Sequence, residues 1–208
     1  MGQSEEHRMQ ITYQRTVTTV AILLLAAAVT QAVYTALYLA MPDVPRKLLW
    51  GIEGFLFVMM AAFAGAALAQ ARQLYLGWSA IAAASVLNVV QVGVGLTLFG
   101  PFSEAAKASP ALEPAAGAVV AFSFMVYNAA KILLALAGIV FGLARMNAGG
   151  KSLGGLTVAV GLVAMVANTL SMAAGRDVLG ELPLAGGSGV LVTVLLALCL
   201  FALPREDR

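Results

Sequence analysis

Long apolar stretches alternate with short polar segments along the whole chain. Six of the stretches are long enough to cross a bilayer as helices, which takes roughly 20 residues. The segments between and beside them hold most of the prolines and charged residues, which end helices and favour water. Residues 1–15 are predicted to be a polar tail or a short interfacial helix, and residues 100–114 a loop. The pattern predicts an all-α polytopic membrane protein, a six-transmembrane-helix bundle forming a single integral membrane domain over residues 1–208. The predicted spans are 17–41, 48–69, 75–99, 116–145, 153–174 and 184–203.

The spans carry a weak internal repeat in pairs. The ends of two even-numbered spans, 138–145 and 198–205, align without gaps and share Phe, Leu and Arg. Each odd-numbered span carries an amide near its middle, and a polar residue follows three positions later on the same helix face. These amides are Gln31, Asn88 and Asn168. The repeat predicts three pseudo-repeated helical hairpins, and the alternative is chance similarity among helices built from Ala, Leu, Val and Gly.

Composition agrees with a membrane protein and removes several classes of site. The chain is 61% hydrophobic and 11% charged, whereas soluble domains are about 45–50% apolar and about 25% charged. Cys199 and His7 are single residues of their types, so we expect no disulfide, no metal and no cofactor. The net charge of +2 gives no reason to expect nucleic acid. The expected partners are membrane lipids and a small-molecule ligand, with a homo-oligomer or a partner membrane subunit as further candidates.

The placement of basic residues orients the spans. Seven Lys and Arg residues lie on the side of the N-terminus, and four lie on the opposite side, where carboxylates dilute them. Cytoplasmic loops carry the excess of Lys and Arg in membrane proteins. We therefore expect both termini in the cytoplasm, in a bacterial inner membrane.

A lysine stands near the middle of the fourth span. Placing the ammonium of Lys131 at mid-membrane costs on the order of 3 kcal/mol, so a partner charge, water or a ligand must offset it. Asn128 precedes it by about one turn, and Tyr127 lies four residues before it on the same helix face. Glu53 of the second span lies at a similar predicted depth. The sequence therefore predicts a Glu53–Lys131 pair.

These residues define a candidate site for a small solute. Polar side chains from several spans would line it at mid-depth, and Lys131 would favour an anion. We therefore expect a channel, a transporter or a ligand-binding membrane component. No catalytic residue is predicted. The predicted ligand-binding residues are Lys131, Asn128, Glu53, Gln31, Asn88, Gln91, Asn168 and Tyr127.

Two other classes of function stay open at this point. In a structural or accessory subunit, the polar residues would hold helices together and a partner protein would dock on the bundle. Exposure of the small-residue face at Gly138 and Gly142 would favour that reading. An enzyme is the least supported, because Glu53 and Lys131 are the ionisable groups of the spans apart from Cys199 and tyrosines.

Overall fold

The computed structural model describes residues 12–41, 44–179 and 184–203. The predicted polar tail before residue 12, part of the turn before the second span and Glu181 of the last loop lie outside the described residues. The described chain is helical, and six of its helices are long and apolar enough to cross a membrane. This part of the sequence prediction is confirmed.

The helix ends agree with the predicted ends to within a few residues, because prolines, glycines and polar clusters mark them. Thr12, for example, caps the first helix, since its hydroxyl accepts a hydrogen bond from the Arg15 amide. Two short 3₁₀ helices, Pro110–Leu112 and Arg176–Leu179, lie between the longer ones. The α-helices are α1 (Tyr13–Ala40), α2 (Lys47–Gln70), α3 (Tyr75–Thr97), α4 (Phe99–Ala108), α5 (Glu113–Asn147), α6 (Lys151–Ala174) and α7 (Leu184–Phe201).

The segment between the third and fourth spans is helical, whereas the sequence predicted a loop there. Its three prolines fit helices because each lies near a helix start. Pro101 is the third residue of α4, Pro110 opens a 3₁₀ helix and Pro114 is the second residue of α5. The first amides of a helix have no intrahelical acceptor, so proline costs little at these positions.

The six long helices pack as a closed ring in the order α1, α2, α3, α5, α6 and α7, with α7 returning to α1. Helix α5 also packs against α7 across the ring. The connections are short, so consecutive long helices run in opposite directions. Helix α4 packs on α3 and α5 at the end of the bundle opposite to the start of α1. We call this the α4 end.

Glycines let α5 approach its two neighbours closely. A Cβ atom on Gly154 of α6 would lie 2.5 Å from the carbonyl oxygen of Gly142, and a Cβ on Gly138 would lie 2.7 Å from Val192 of α7. Real Cβ atoms do not come so near to other heavy atoms. The face formed by Gly138 and Gly142 is therefore buried within the chain's own bundle.

The core has an apolar zone and a polar zone. Large apolar side chains fill the half that holds the start of α1, with Leu24, Met60, Trp78, Phe141 and Leu200 almost completely buried. The half toward the α4 end holds the buried amide and charged side chains. These are Gln31, Glu53, Asn88, Asn128, Lys131 and Asn168.

Candidate functional site

Lys131 lies in the interior of the bundle with none of its surface exposed. Its aliphatic stem packs against Gly189 of α7, where an added Cβ would lie 2.9 Å from Lys131 Cδ. Gly189 therefore provides the space that the stem occupies. The long side chain leans toward the start of its own helix, as helical side chains do, which directs the ammonium toward the α4 end.

Gln31 joins the two buried charged residues. Its Oε1 accepts a hydrogen bond from Lys131 Nζ, and its Nε2 donates to Glu53 Oε1 at 2.8 Å. The carboxamide thus uses its acceptor for the cation and its donor for the anion. Glu53 and Lys131 do lie close together, as the sequence predicted, but Gln31 connects them in place of the direct contact that we expected.

Tyr127 covers another side of the ammonium. Lys131 Nζ lies 5.2 Å from the centre of the Tyr127 ring, which is within the range of a cation–π contact. Residues of α1, α2 and α5 therefore surround one buried cation, and α7 closes the cluster through Gly189.

The ammonium of Lys131 has more donors than the protein has acceptors for them. It carries three N–H groups. Within the described ranges, Gln31 is its hydrogen-bond acceptor and the Tyr127 ring supplies a second, weaker contact. Burying an unsatisfied donor costs about 1–3 kcal/mol, and more when the group is charged. Lys131 can therefore take a further acceptor oxygen or anion.

Two predicted amides are buried but do not join this cluster by hydrogen bonds. Asn88 Nδ2 donates to the carbonyl of Ala84, and Asn168 Nδ2 donates to the carbonyl of Ala164, in each case four residues earlier. Asn168 also reaches the carbonyl of Ala185 in α7 at 3.1 Å. Both Oδ1 atoms are buried and have no hydrogen-bond partner.

The remaining predicted residues lie on α3 and α5. Gln91 Nε2 donates to Ser123 Oγ over a long distance of 3.4 Å, which links the two helices weakly. Asn128 is buried, with 3% of its surface exposed, and its side chain makes no hydrogen bond to the described chain. Asn128 precedes Lys131 by about one turn and is a further polar group without a fixed partner.

Gly189 is the site residue that sequence reasoning did not find. In the sequence it is one of several glycines that weaken the start of the last helix. Nothing in its local pattern indicates a contact with Lys131, because the two residues meet only through the packing of α5 against α7.

A surface cleft of about 640 Å³ at the α4 end is separate from this cluster. It lies between α4 and the start of α5, and Phe102, Lys107 and Glu113 are among its lining residues. None of the eight predicted site residues lines it. Within the described ranges, no three His, Cys, Asp or Glu side chains lie close enough to share a metal ion.

The protein is thus an all-helical bundle with six potential membrane-spanning helices, and the Lys131 side chain is buried in the polar zone of its core. Comparison of the chain with protein-family models, with curated proteins and with solved structures found no match. Its function must therefore be inferred from its own residues.

Proposed function

We propose that the chain is a six-span integral membrane protein that binds a small anionic solute at Lys131, from the α4 end of the bundle. The observation that carries this proposal is the incomplete coordination of a completely buried ammonium. The ammonium contacts one amide oxygen and one aromatic ring. Two of its three N–H donors have no hydrogen-bond acceptor within the described chain. An anion would supply the missing acceptors and a countercharge.

Insertion in a membrane is supported by the outer surface of the bundle. Large apolar side chains are exposed on several of the long helices, for example Leu48, Phe55 and Val166 with 79%, 62% and 60% of their surface accessible. Soluble monomers rarely expose large continuous apolar surfaces. In the sequence, Lys and Arg are in excess on the side of the N-terminus, which supports a cytoplasmic location for that side. We propose that the membrane is a bacterial inner membrane.

The shared geometry of two amide side chains supports the predicted repeat of helical hairpins. Asn88 of α3 and Asn168 of α6 make the same bond to the carbonyl four residues earlier, and both leave Oδ1 without a partner. Gln31 of α1 departs from this geometry because it reaches the charged residues. We interpret the chain as three related hairpins in which the first has acquired a different polar contact.

A binding site open toward one end accounts for the core better than a pore. The buried amide and charged side chains lie in the half toward the α4 end, and Met60, Trp78 and Phe141 are among the side chains that fill the other half. A pore would require polar groups or open space along its whole length. The solute must also be small, because Lys131 and Glu53 are already closely packed.

The alternative of an accessory subunit would have been favoured by an exposed small-residue face, and that face is buried. Gly138 and Gly142 pack against α7 and α6 of the same chain, so their face is not available to a partner protein. No other described feature favours that alternative specifically. It remains the outcome that we expect if Lys131 proves to have a structural role alone.

The proposal is tested by anion binding to the purified protein. We would titrate formate, acetate and chloride by calorimetry and compare the chain with its Lys131→Met and Lys107→Met variants. Lys107 is an exposed lysine of α4, so its replacement removes the same charge without touching the core. We expect Lys131→Met to weaken binding at least about a hundredfold, about 3 kcal/mol, and Lys107→Met to leave it unchanged.

Two results would count against the proposal. One is the absence of binding of all three anions to the unmodified chain. The other is equal binding by the chain and by a folded Lys131→Met variant. Folding would be checked by gel filtration and thermal unfolding, so that loss of structure is not taken for loss of the site.

A further inference from the structure

Glu53 is the negative charge nearest to Lys131 in the described core, and it competes with any anion for that lysine. The two are joined through Gln31, so the ammonium and the carboxylate together make the polar zone electrically neutral. An anion bound at Lys131 adds a negative charge beside Glu53. In an interior of low dielectric constant, an uncompensated charge is strongly unfavourable.

We infer that the site takes up one proton on Glu53 with each monovalent anion that it binds, so that it admits the anion and the proton together. The inference rests on the proposed function, and it adds that a proton is bound together with the anion. Before binding, the charges of Lys131 and Glu53 sum to zero. The anion brings one negative charge, and a proton from water forms an O–H bond on a Glu53 carboxylate oxygen. The sum returns to zero, and no other bond forms or breaks.

The groups around Glu53 leave it as the residue whose protonation state must change when an anion binds. On α5, Lys131 shares Gln31 with it through hydrogen bonds, and Tyr127 packs over the lysine ammonium. On α1, the neutral Gln31 contacts it. The described α3 and α7 contain no Asp, Glu, Lys, Arg or His, and the single charged residue of α6, Lys151, lies at the opposite end of the bundle.

The geometry also allows Gln31 to keep its place after protonation. A protonated carboxyl group still accepts a hydrogen bond at its carbonyl oxygen, and it gains an O–H donor. The bond from Gln31 Nε2 can therefore persist, while the new O–H points to the anion or to Tyr127. Release of the carboxylate charge frees Lys131 to pair with the incoming anion.

Proton uptake per bound anion is the measurement that tests this inference. Formate would be added to the protein in weakly buffered solution with a pH indicator, and formate binding would be measured in parallel. We expect about one proton per formate in the unmodified chain, and an affinity that falls about tenfold for each unit of rise in pH. Glu53→Gln should bind formate without proton uptake and without this pH dependence. Glu104→Gln, an exposed carboxylate of α4, is the matched control and should behave like the unmodified chain.

The possible failures are distinguishable. Formate binding without proton uptake would overturn the coupling and leave the binding site intact. Uptake that persists in Glu53→Gln would also overturn the inference, because another group would carry the proton. The absence of binding of formate, acetate and chloride would contradict the proposed function itself. If Glu53→Gln does not fold, infrared difference spectra of the unmodified chain with ¹³C-formate decide the matter, since a new protein carboxylic acid band must appear on binding.

Discussion

At the scale of single residues, the polar core depends on a neutral side chain placed between two charged ones. Gln31 is suited to this position because a carboxamide offers a donor and an acceptor a short distance apart. It donates to Glu53 and accepts from Lys131, so each charge has a hydrogen bond inside the bundle. Without it, both charges would be buried and deprived of that bond.

Replacement of Gln31 by leucine should therefore destabilise the protein. Hydrogen bonds to charged groups contribute about 1.5–3 kcal/mol each, and we expect a loss of about 3 kcal/mol in the free energy of unfolding. The loss would be measured by denaturant titration in detergent micelles. Gln91→Leu is the matched control, since Gln91 makes one long bond to Ser123 and its loss should cost less than about 1 kcal/mol. Equal effects of the two substitutions would contradict the special role of Gln31.

The contact between Lys131 and Gly189 leads to a second residue-scale prediction. A methyl group at Gly189 would overlap the lysine stem, so Gly189→Ala should lower the thermal stability by about 1–3 kcal/mol and weaken formate binding. Gly187 lies in the same turn of α7 and has no atoms within 4 Å of the position of an added Cβ. Gly187→Ala should be neutral or stabilise the helix by up to about 1 kcal/mol. A Gly189→Ala variant as stable as Gly187→Ala would show that the lysine stem is not held there.

At the scale of helices, the bundle is held most closely where α5 meets α6. Gly142 and Gly154 have no side chains, so the two backbones can approach closely there. Close backbone packing stabilises helix pairs in apolar surroundings. The same helix α5 carries Lys131 and Tyr127. The position of the buried cation therefore depends on how closely α5 packs against its neighbours.

Gly154→Ala should separate α5 from α6. The added Cβ would lie 2.5 Å from a backbone oxygen, which cannot move aside as a flexible side chain can, so we expect a loss of about 1–3 kcal/mol in stability. Gly155→Ala is the adjacent control, because nothing lies within 4 Å of its added Cβ. Thermal unfolding of the two variants measures the difference. Similar melting temperatures would be the contradictory result.

The sequence was a good guide to helices and a poorer guide to short segments. Apolar length, prolines and charges located the ends of all six long helices within a few residues. Helix α4 was missed because Pro101 and the nearby Pro110 indicated a loop, although a proline near a helix start is well tolerated. Whether a proline fits a helix depends on its distance from the helix start. That distance is not known before the start itself has been located.

At the scale of the whole molecule, the division of the core into two zones sets the proposed direction of access. The apolar zone closes the end at which α1 starts, and the polar zone approaches the α4 end. If the basic residues at the start of α1 face the cytoplasm, the site opens away from the cytoplasm. Direction of access and membrane orientation are then linked.

Single cysteines should report that orientation. In a Cys199→Ala background expressed in bacterial cells, Ser103→Cys of α4 should react with a membrane-impermeant maleimide on intact cells. Ala148→Cys, in the connection between α5 and α6, should react only after the membrane is opened. Both parent residues are exposed, so access to the reagent and not burial determines the result. The opposite labelling pattern would reverse the orientation.

Four of the eight predicted residues lie together in one cluster, and the connections within it were harder to predict. These four are Gln31, Glu53, Tyr127 and Lys131. A lysine in an apolar span requires a partner, and Glu53 was the candidate at a similar predicted depth. Gln31 was a candidate as one of the three amides near the middle of the odd-numbered spans. Which atom bonds to which could not be predicted, because it depends on helix rotation and on differences of a few ångströms. The contact at Gly189 depends on the packing of α5 against α7, for which the local sequence gives no signal.

The most direct test of a ligand site at Lys131 is an experimental density map of the protein in lipid nanodiscs, at a resolution that shows ordered water. We expect non-protein density within hydrogen-bonding distance of Lys131 Nζ, on the side not occupied by Gln31, and stronger density after formate is added. A dry core in which Nζ bonds only to Gln31 and helix carbonyls, with and without formate, would contradict it. Lys131 would then be a structural link between helices.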